Sequence, residues 1–153
     1  MIVVADAGIF LLLHEAGQLD LLHALFGEVL TTSVVADEVQ SFDLGDLDWV
    51  SVVGCEFDEI HQELVTAVDA GEASAIWLAL RHQPSLLLID DLAGRKESSR
   101  RGVRVAGSLG VLAIAKQRGI IARIAPLVDS FVQAGAWYSP RLISMVLQRA
   151  DES

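Results

Sequence analysis

The sequence predicts an α/β fold: a three-layer α/β/α sandwich around a central parallel sheet of about four to five strands. Two patterns support this prediction. Short unbroken apolar runs, such as residues 86–89, are typical of strands buried on both faces of a parallel sheet. These runs alternate with segments of helical spacing, which favours parallel strands covered by helices. The 153 residues are most simply one domain, 1–153, and 52% of them are apolar, which suits a well-packed core.

The first half of the chain alternates strands and helices. Strands are predicted at residues 2–5, 28–31 and 49–53, the last of them at an edge of the sheet. Helices are predicted at residues 8–16, 19–26, 33–40 and 57–68. The first two helices end at Gly17 and Gly27, because glycine readily adopts the left-handed conformation that closes a helix.

The second half continues the alternation around one very apolar strand. Residues 86–89, Leu-Leu-Leu-Ile, form the predicted central strand, and residues 103–106 form the next one. Helices are predicted from Asp69 through Leu80, over the basic segment after Asp91, and at residues 109–118, 126–133 and 139–147. In the last of these, Ser139 is placed to cap the helix and Pro140 to occupy its first position.

Charge is divided unequally between the two halves of the chain. The net charge is −10, yet residues 1–80 contain fifteen Asp or Glu and no Lys or Arg. Residues 81–153 contain eleven bases against six acids, which leaves +5. Five of these bases lie within ten residues and indicate a basic surface suited to phosphate groups: Arg95, Lys96, Arg100, Arg101 and Arg104. The solvated face of an ordinary helix is the alternative explanation.

Composition excludes several classes of protein. A single cysteine, Cys55, excludes an internal disulfide framework and a multi-cysteine metal site. No stretch approaches the roughly 20 apolar residues that span a bilayer. Residues 1–6 lack the basic start of a signal peptide. We therefore expect a cytoplasmic protein without membrane association.

Carboxylates follow two of the predicted strands directly. Asp6 comes after the first strand, and Asp90 and Asp91 come after residues 86–89. Open parallel sheets bind ligands beyond the carboxyl ends of their strands, and ionised carboxylates are costly to desolvate unless a cation is near. Together with Glu38 and Glu72 on helices, these acids predict a site for Mg²⁺ or Mn²⁺. Such a site would activate water for attack on a phosphodiester.

Most of these acids also have a structural explanation. Asp69 and Glu72 have the spacing of a capping box, in which the acid three residues into a helix bonds back to the cap. Glu38, taken alone, fits the solvated face of a helix. Neighbouring side chains of an extended strand point to opposite faces, so only one of Asp90 and Asp91 is expected to reach the cleft.

A series of short segments follows a recognisable pattern. In chain order they are Val4-Ala5-Asp6 with the Leu-rich helix after it, Leu19-Asp20-Leu21-Leu22, Phe26-Gly27-Glu28-Val29, Gly71-Glu72-Ala73, residues 87–91 with Gly94-Arg95, and residues 107–112. This order resembles the PIN-domain nucleases, the superfamily of the VapC-like toxin ribonucleases, and in particular a prokaryotic branch of it. The resemblance covers nearly the whole chain.

The resemblance implies a PIN fold and a metal-dependent ribonuclease, the toxin component of a toxin–antitoxin pair. It implies that the acidic residues bind Mg²⁺ or Mn²⁺ and are catalytic: Asp6, Glu38, Glu72 and Asp90. Asp91 is a supporting or alternative ligand, and Asp90 is preferred of the two. Ser108 matches the hydroxyl residue that supports this set, although capping of the helix that follows is an alternative role. The implied partners are RNA, held by the basic helix, an antitoxin protein and a second copy of the chain in a homodimer.

Two positions depart from the family pattern. Ala7 stands where Ser or Thr usually follows the first aspartate, and Thr32 stands where a proline is common. Loss of a group that supports metal ligands typically costs about 10–100-fold, so a PIN-fold binding module without turnover is the alternative function. A receiver-like phospho-acceptor would need a lysine after residues 103–106, and a haloacid-dehalogenase-type phosphatase would need a second aspartate after Asp6; this sequence has neither.

Overall fold

The computed structural model describes residues 1–152, in which five parallel strands form one sheet. The strands are β1 (Ile2–Ala5), β2 (Val29–Thr32), β3 (Val50–Val53), β4 (Ser85–Leu88) and β5 (Arg104–Ala106). Their order in the sheet is β3-β2-β1-β4-β5, and every neighbouring pair is parallel. The predicted fold class and the edge position of β3 are confirmed. The predicted central strand is displaced by one place, because β1 rather than β4 lies at the centre.

Nine α-helices accompany these strands within the described residues. They are α1 (Ala7–Glu15), α2 (Asp20–Phe26), α3 (Ser33–Glu38), α4 (Glu59–Leu64), α5 (Ala70–Arg81), α6 (Leu92–Arg100), α7 (Ser108–Gln117), α8 (Ala125–Gln133) and α9 (Pro140–Arg149), with a short 3-10 turn at Leu44–Asp46. Most agree with the predicted helices to within two residues. Helix α4 is shorter than predicted. Asp58 caps its start, and the backbone hydrogen bonds after Leu64 are those of a turn.

The helices cover both faces of the sheet. Helix α5 packs on β1, β2 and β4, whereas α7 contacts β5 and α2, and α2 contacts β2. From β1 the chain proceeds outward to β2 and β3, and from β4 it proceeds in the other direction to β5. Since parallel strands are joined by right-handed connections, the helices between β1 and β2 and the helix between β4 and β5 are expected on opposite faces of the sheet. The strand order reverses between β1 and β4, and the carboxyl ends of these strands flank the crevice where such sheets bind ligands.

Helices α1 and α2 contribute much of the core on their side. Ile9, Phe10 and Leu13 of α1 and Leu22 of α2 are completely buried. Taken together the two helices have the length and composition of a membrane span, but they are bent by 119° relative to each other. No single helix among residues 1–152 is long and apolar enough to cross a membrane.

Candidate metal centre

Two neighbouring strand ends bring distant acids into one crevice. Ala5 at the end of β1 pairs with Leu88 at the end of β4. The amide of Asp6 then donates a hydrogen bond to the Leu88 carbonyl at 3.0 Å. Asp6 and the pair Asp90-Asp91 therefore follow adjacent strands at the point where the strand order reverses.

Asp6 is a buried acid with an unsatisfied oxygen. The residue is only 7% exposed, and its Oδ1 has no hydrogen-bond partner among residues 1–152. Burial raises the pKa of Asp6 to about 7, against the opposing effect of the Ala7 amide. The nearby charges of Asp69, Glu38 and Asp91 raise this pKa further. A buried carboxylate oxygen without a donor is unfavourable unless a proton or a cation satisfies it.

Glu72 lies beside Asp69 and Asp91. Burial raises the pKa of Glu72 to about 7 against the effect of the Asp69 amide, and the charges of Asp69 and Asp91 raise it further. Glu72 Oε2 accepts from the Asp69 amide at 3.1 Å, and Asp69 Oδ1 accepts from the Glu72 amide at 2.9 Å. The predicted capping box is therefore present, and it fixes Glu72 within the acidic cluster.

Glu38 approaches the cluster from the end of α3. Burial and the charge of Asp69 raise its pKa, whereas the backbone of Gly71 lowers it. A Cβ atom at Gly71 would come within 2.4 Å of Glu38 Oε2, so glycine is what admits this carboxylate. A hydrogen bond of 2.6 Å between Thr32 and Ser74 joins α3 to α5 nearby. Thr32 also caps α3, so a hydroxyl cap starts this helix where the family commonly has proline.

Asp90 is placed differently from Asp91. Its Oδ1 accepts hydrogen bonds from the Ser108 amide at 2.7 Å and the Ser108 hydroxyl at 3.1 Å. Of the two strand-end acids, Asp91 is the one whose charge raises the pKa values of Asp6 and Glu72. Gly107 occupies the N-cap of α7, so the alternative in which Ser108 caps that helix does not hold.

Asp69 is the member of the cluster that sequence reasoning treated only as a helix cap. Its charge raises the pKa values of three acids, Asp6, Glu38 and Glu72. Its position in the same capping box as Glu72 is the signal that could have identified it. The structure thus gathers five carboxylates, Asp6, Glu38, Asp69, Glu72 and Asp91, and holds Asp90 at the side facing α7.

The donor set of this acidic cluster suits a hard divalent cation. Among residues 1–152, no group of three or more His, Cys, Asp or Glu side chains is positioned to hold a metal ion together. Yet none of the five clustered acids forms an ion pair with Lys, Arg or His in that part of the chain. The cluster therefore combines several carboxylates, one unsatisfied buried oxygen and no ion-paired base among residues 1–152. The guanidinium of Arg95 lies nearby, on the Asp90 side. Carboxylate oxygens of this kind are the ligands that hard divalent cations prefer in proteins.

The basic surface next to this cluster is partly neutralised within the protein. Arg100 and Arg101 both form ion pairs with Glu97, at 2.6 and 2.8 Å. Those two guanidinium groups lower the pKa of Glu97 to about 2. Lys96 and Arg104 are exposed and form no ion pair within residues 1–152. Two of the five predicted RNA-binding bases are therefore fully available to phosphates.

The crevice opens into a groove of about 1240 Å³ between α1, α7 and α9. Asp90, Arg95 and Tyr138 line this groove, and so does Trp137, which is 81% exposed. Arg95, the remaining predicted RNA-binding base, turns inward and donates from Nη1 to the Ile89 carbonyl at 3.3 Å. The groove gives a ligand access to the strand ends from this side.

Comparison with known proteins identifies the family. A family model described as a PIN domain, DUF3368, matches residues 2–152. No curated protein and no solved structure matches the chain. PIN domains are generally nucleases and typically use divalent metals. Since the match spans nearly the whole chain and the sheet agrees with it, the resemblance found in the sequence is confirmed, and the protein belongs to the PIN-domain superfamily.

Proposed function

We propose that this protein is a metal-dependent endoribonuclease that hydrolyses RNA phosphodiester bonds, the toxin component of a type II toxin–antitoxin pair. The observation that supports this most is the buried Oδ1 of Asp6, which has no partner among the described residues, in a side chain that the charges of Asp69, Glu38 and Asp91 also affect. Asp6, Glu38, Glu72 and Asp91 would hold Mg²⁺ or Mn²⁺, with Asp90 contributing from the side of α7. The bound cation would supply activation of water and neutralisation of the phosphodiester charge.

The protein positions these acids through rigid backbone elements. The capping box holds Glu72 at the first turn of α5. The Ser108 amide and hydroxyl hold Asp90, and the Gly94 amide donates to Asp91 at 3.0 Å. Sites whose side chains are fixed by neighbouring hydrogen bonds lose less order when they bind a ligand.

Cleavage of an unstructured RNA in the presence of Mn²⁺ tests the proposed activity. We expect the wild-type protein to cleave, and we expect the double variants Asp6→Asn with Asp90→Asn and Asp6→Asn with Asp91→Asn to lose about 100-fold or more. Loss of groups that merely support metal ligands already costs about 10–100-fold. Asp129→Asn, an exposed position on α8, is the matched control and is expected to retain activity. Equal cleavage by all four proteins would eliminate the proposed site.

The salt dependence of RNA binding tests the role of the basic surface. Each phosphate contact on a single strand contributes about −0.7 to the slope of log affinity against log salt concentration. Five contacts would give about −3.5, whereas Lys96 and Arg104 alone give about −1.4. We expect a slope near the smaller value, measured by fluorescence anisotropy with the Asp6→Asn, Asp90→Asn double variant to prevent cleavage. Lys96→Ala should remove one contact, and Arg100→Ala should change the slope little; a slope near zero contradicts this role.

A PIN-fold binding module without turnover is the second candidate function. It is favoured by Ala7, which offers no hydroxyl beside Asp6, and by the lack of three acids already arranged as ligands in the described part of the chain. Calorimetry separates the two functions: micromolar Mn²⁺ binding without cleavage of any RNA would support the module. An antitoxin protein and a second copy of the chain remain our proposed protein partners in either case.

A further inference from the structure

A series of hydrogen bonds connects the segment before α9 to the strand-end acid Asp90. The hydroxyl groups of Tyr138 and Ser108 lie 2.5 Å apart. Ser108 in turn donates its amide and its hydroxyl to Asp90 Oδ1, at 2.7 and 3.1 Å. Because Ser108 is completely buried, bulk water does not replace either of its partners.

The single hydroxyl proton of Ser108 determines the direction of these hydrogen bonds. Ser108 donates that proton to Asp90 Oδ1, so its hydroxyl oxygen can only accept from a second partner. The Tyr138 hydroxyl must then donate to the Ser108 oxygen. Each bond in such a series strengthens the next. The Tyr138 hydroxyl therefore orients the hydroxyl that holds Asp90.

The backbone also restricts the Asp90 carboxylate. A Cβ atom at Gly107 would lie 2.5 Å from Asp90 Oδ1, so the chain closes tightly around this oxygen. Both bonds from Ser108 go to the same oxygen, Oδ1, and leave Oδ2 for another ligand.

We propose that Tyr138 is a positioning residue of the metal centre: through Ser108 it fixes the Asp90 carboxylate so that its second oxygen faces the cation. This inference rests on the proposed function, because it requires a divalent cation at the strand ends. Tyr138 lies between α8 and α9, outside the acidic motifs, and it is the only tyrosine in the sequence.

The substitution Tyr138→Phe tests this role, because it removes the hydroxyl and keeps the ring. We measure the Mn²⁺ dissociation constant of the full chain by calorimetry and the midpoint of thermal unfolding by circular dichroism. The dissociation constant is expected to rise about tenfold, the lower end of the effect of losing a partner behind a metal ligand. The thermal midpoint should change little. Phe57→Leu is the control, because this exposed aromatic side chain does not line the groove and should leave Mn²⁺ affinity unchanged.

The pair of substitutions Tyr138→Phe and Ser108→Ala tests whether the two hydroxyls act in series. If they do, the double variant loses no more Mn²⁺ affinity than Ser108→Ala alone, because residues of one network are not additive. Losses that add independently overturn the serial arrangement. A wild-type protein that binds no Mn²⁺ contradicts the proposed function and this inference together. Binding by the wild type with an unchanged constant for Tyr138→Phe contradicts only the role of Tyr138.

Discussion

Replacement of Asp6 by Asn is expected to stabilise the metal-free protein at pH 8, although Asp6 lies in the proposed site. Burial raises the pKa of Asp6 from 3.8 to about 7, so above pH 7 the folded protein contains a charge that the unfolded chain exposes to water. One pKa unit corresponds to about 1.4 kcal/mol, so the destabilisation is on the order of a few kcal/mol. Asn carries no charge at this position, so the variant avoids this destabilisation.

The sign of the pH dependence follows from the direction of the shift. Between the unfolded and folded pKa values the folded protein binds more protons, so its stability decreases as the pH rises. The stabilisation that results from the raised pKa of Asp6 is complete below about pH 4 and is lost by about pH 7. Glu72, whose pKa is also raised to about 7, changes the stability in the same direction. For a domain of this size 1 kcal/mol changes the thermal midpoint by about 2–4 °C. The Asn variant should therefore unfold several degrees above the wild type at pH 8.

Thermal unfolding in EDTA from pH 5 to pH 8 measures this effect. The difference between Asp6→Asn and wild type should be smallest at pH 5 and should grow toward pH 8. Asp129→Asn, on the exposed surface of α8, should follow the wild-type profile. A variant at Asp6 that is less stable than the wild type at every pH would contradict the burial of an unsatisfied charge.

Mn²⁺ affinity is expected to rise steeply up to about pH 7 and to level off above it. Carboxylate ligands bind metal in the deprotonated form, so metal competes with protons at each of them. Both Asp6 and Glu72 have pKa values of about 7 in the metal-free protein. Well below that pH, affinity should increase up to about 100-fold per pH unit if both acids release a proton. At 100 times its dissociation constant, Mn²⁺ should stabilise the protein by about 2.7 kcal/mol.

Calorimetry in two buffers of different ionisation enthalpy counts the protons released on Mn²⁺ binding. We expect a number approaching two near pH 6 and approaching zero above pH 8. Asp6→Asn should bind more weakly and release fewer protons, whereas Asp129→Asn should behave like the wild type. Affinity that does not vary with pH would show that neither Asp6 nor Glu72 lies at the metal.

Local sequence patterns predict the elements of this fold well but not their arrangement. Apolar runs of four residues and glycine stops indicate the strands and helices to within a few positions. The run at residues 86–89 is the most apolar and is therefore predicted at the centre, yet β1 occupies that place. Strand order depends on the directions of the connections, which no local run reveals.

The site shows the same division between local and long-range information. Asp6 and the pair after β4 are predictable because a carboxylate directly follows a buried strand. Which acid of that pair faces Glu72 depends on the side-chain directions after the strand, and the contact of Tyr138 with Ser108 depends on how α9 is placed. Neither is visible in the sequence.

The neutralisation of part of the basic surface could have been predicted from the spacing of charges along the helix. Glu97 lies three and four residues before Arg100 and Arg101, the spacing at which helical side chains pair. A count of charges alone treats both arginines as free. In the structure both arginines are paired with Glu97, so neither counts as a free positive charge.

The pairing of β1 with β4 also determines when the crevice comes into being. Ile2 lies opposite Ser85 in the parallel pairing of β1 with β4, so the two paired strands are far apart in the sequence. Contacts between such remote segments form slowly, after local turns and helices. Until they form, Asp6 has no partner strand beside it and the acids do not meet. A newly made or partly unfolded copy therefore lacks this arrangement of carboxylates until folding is complete.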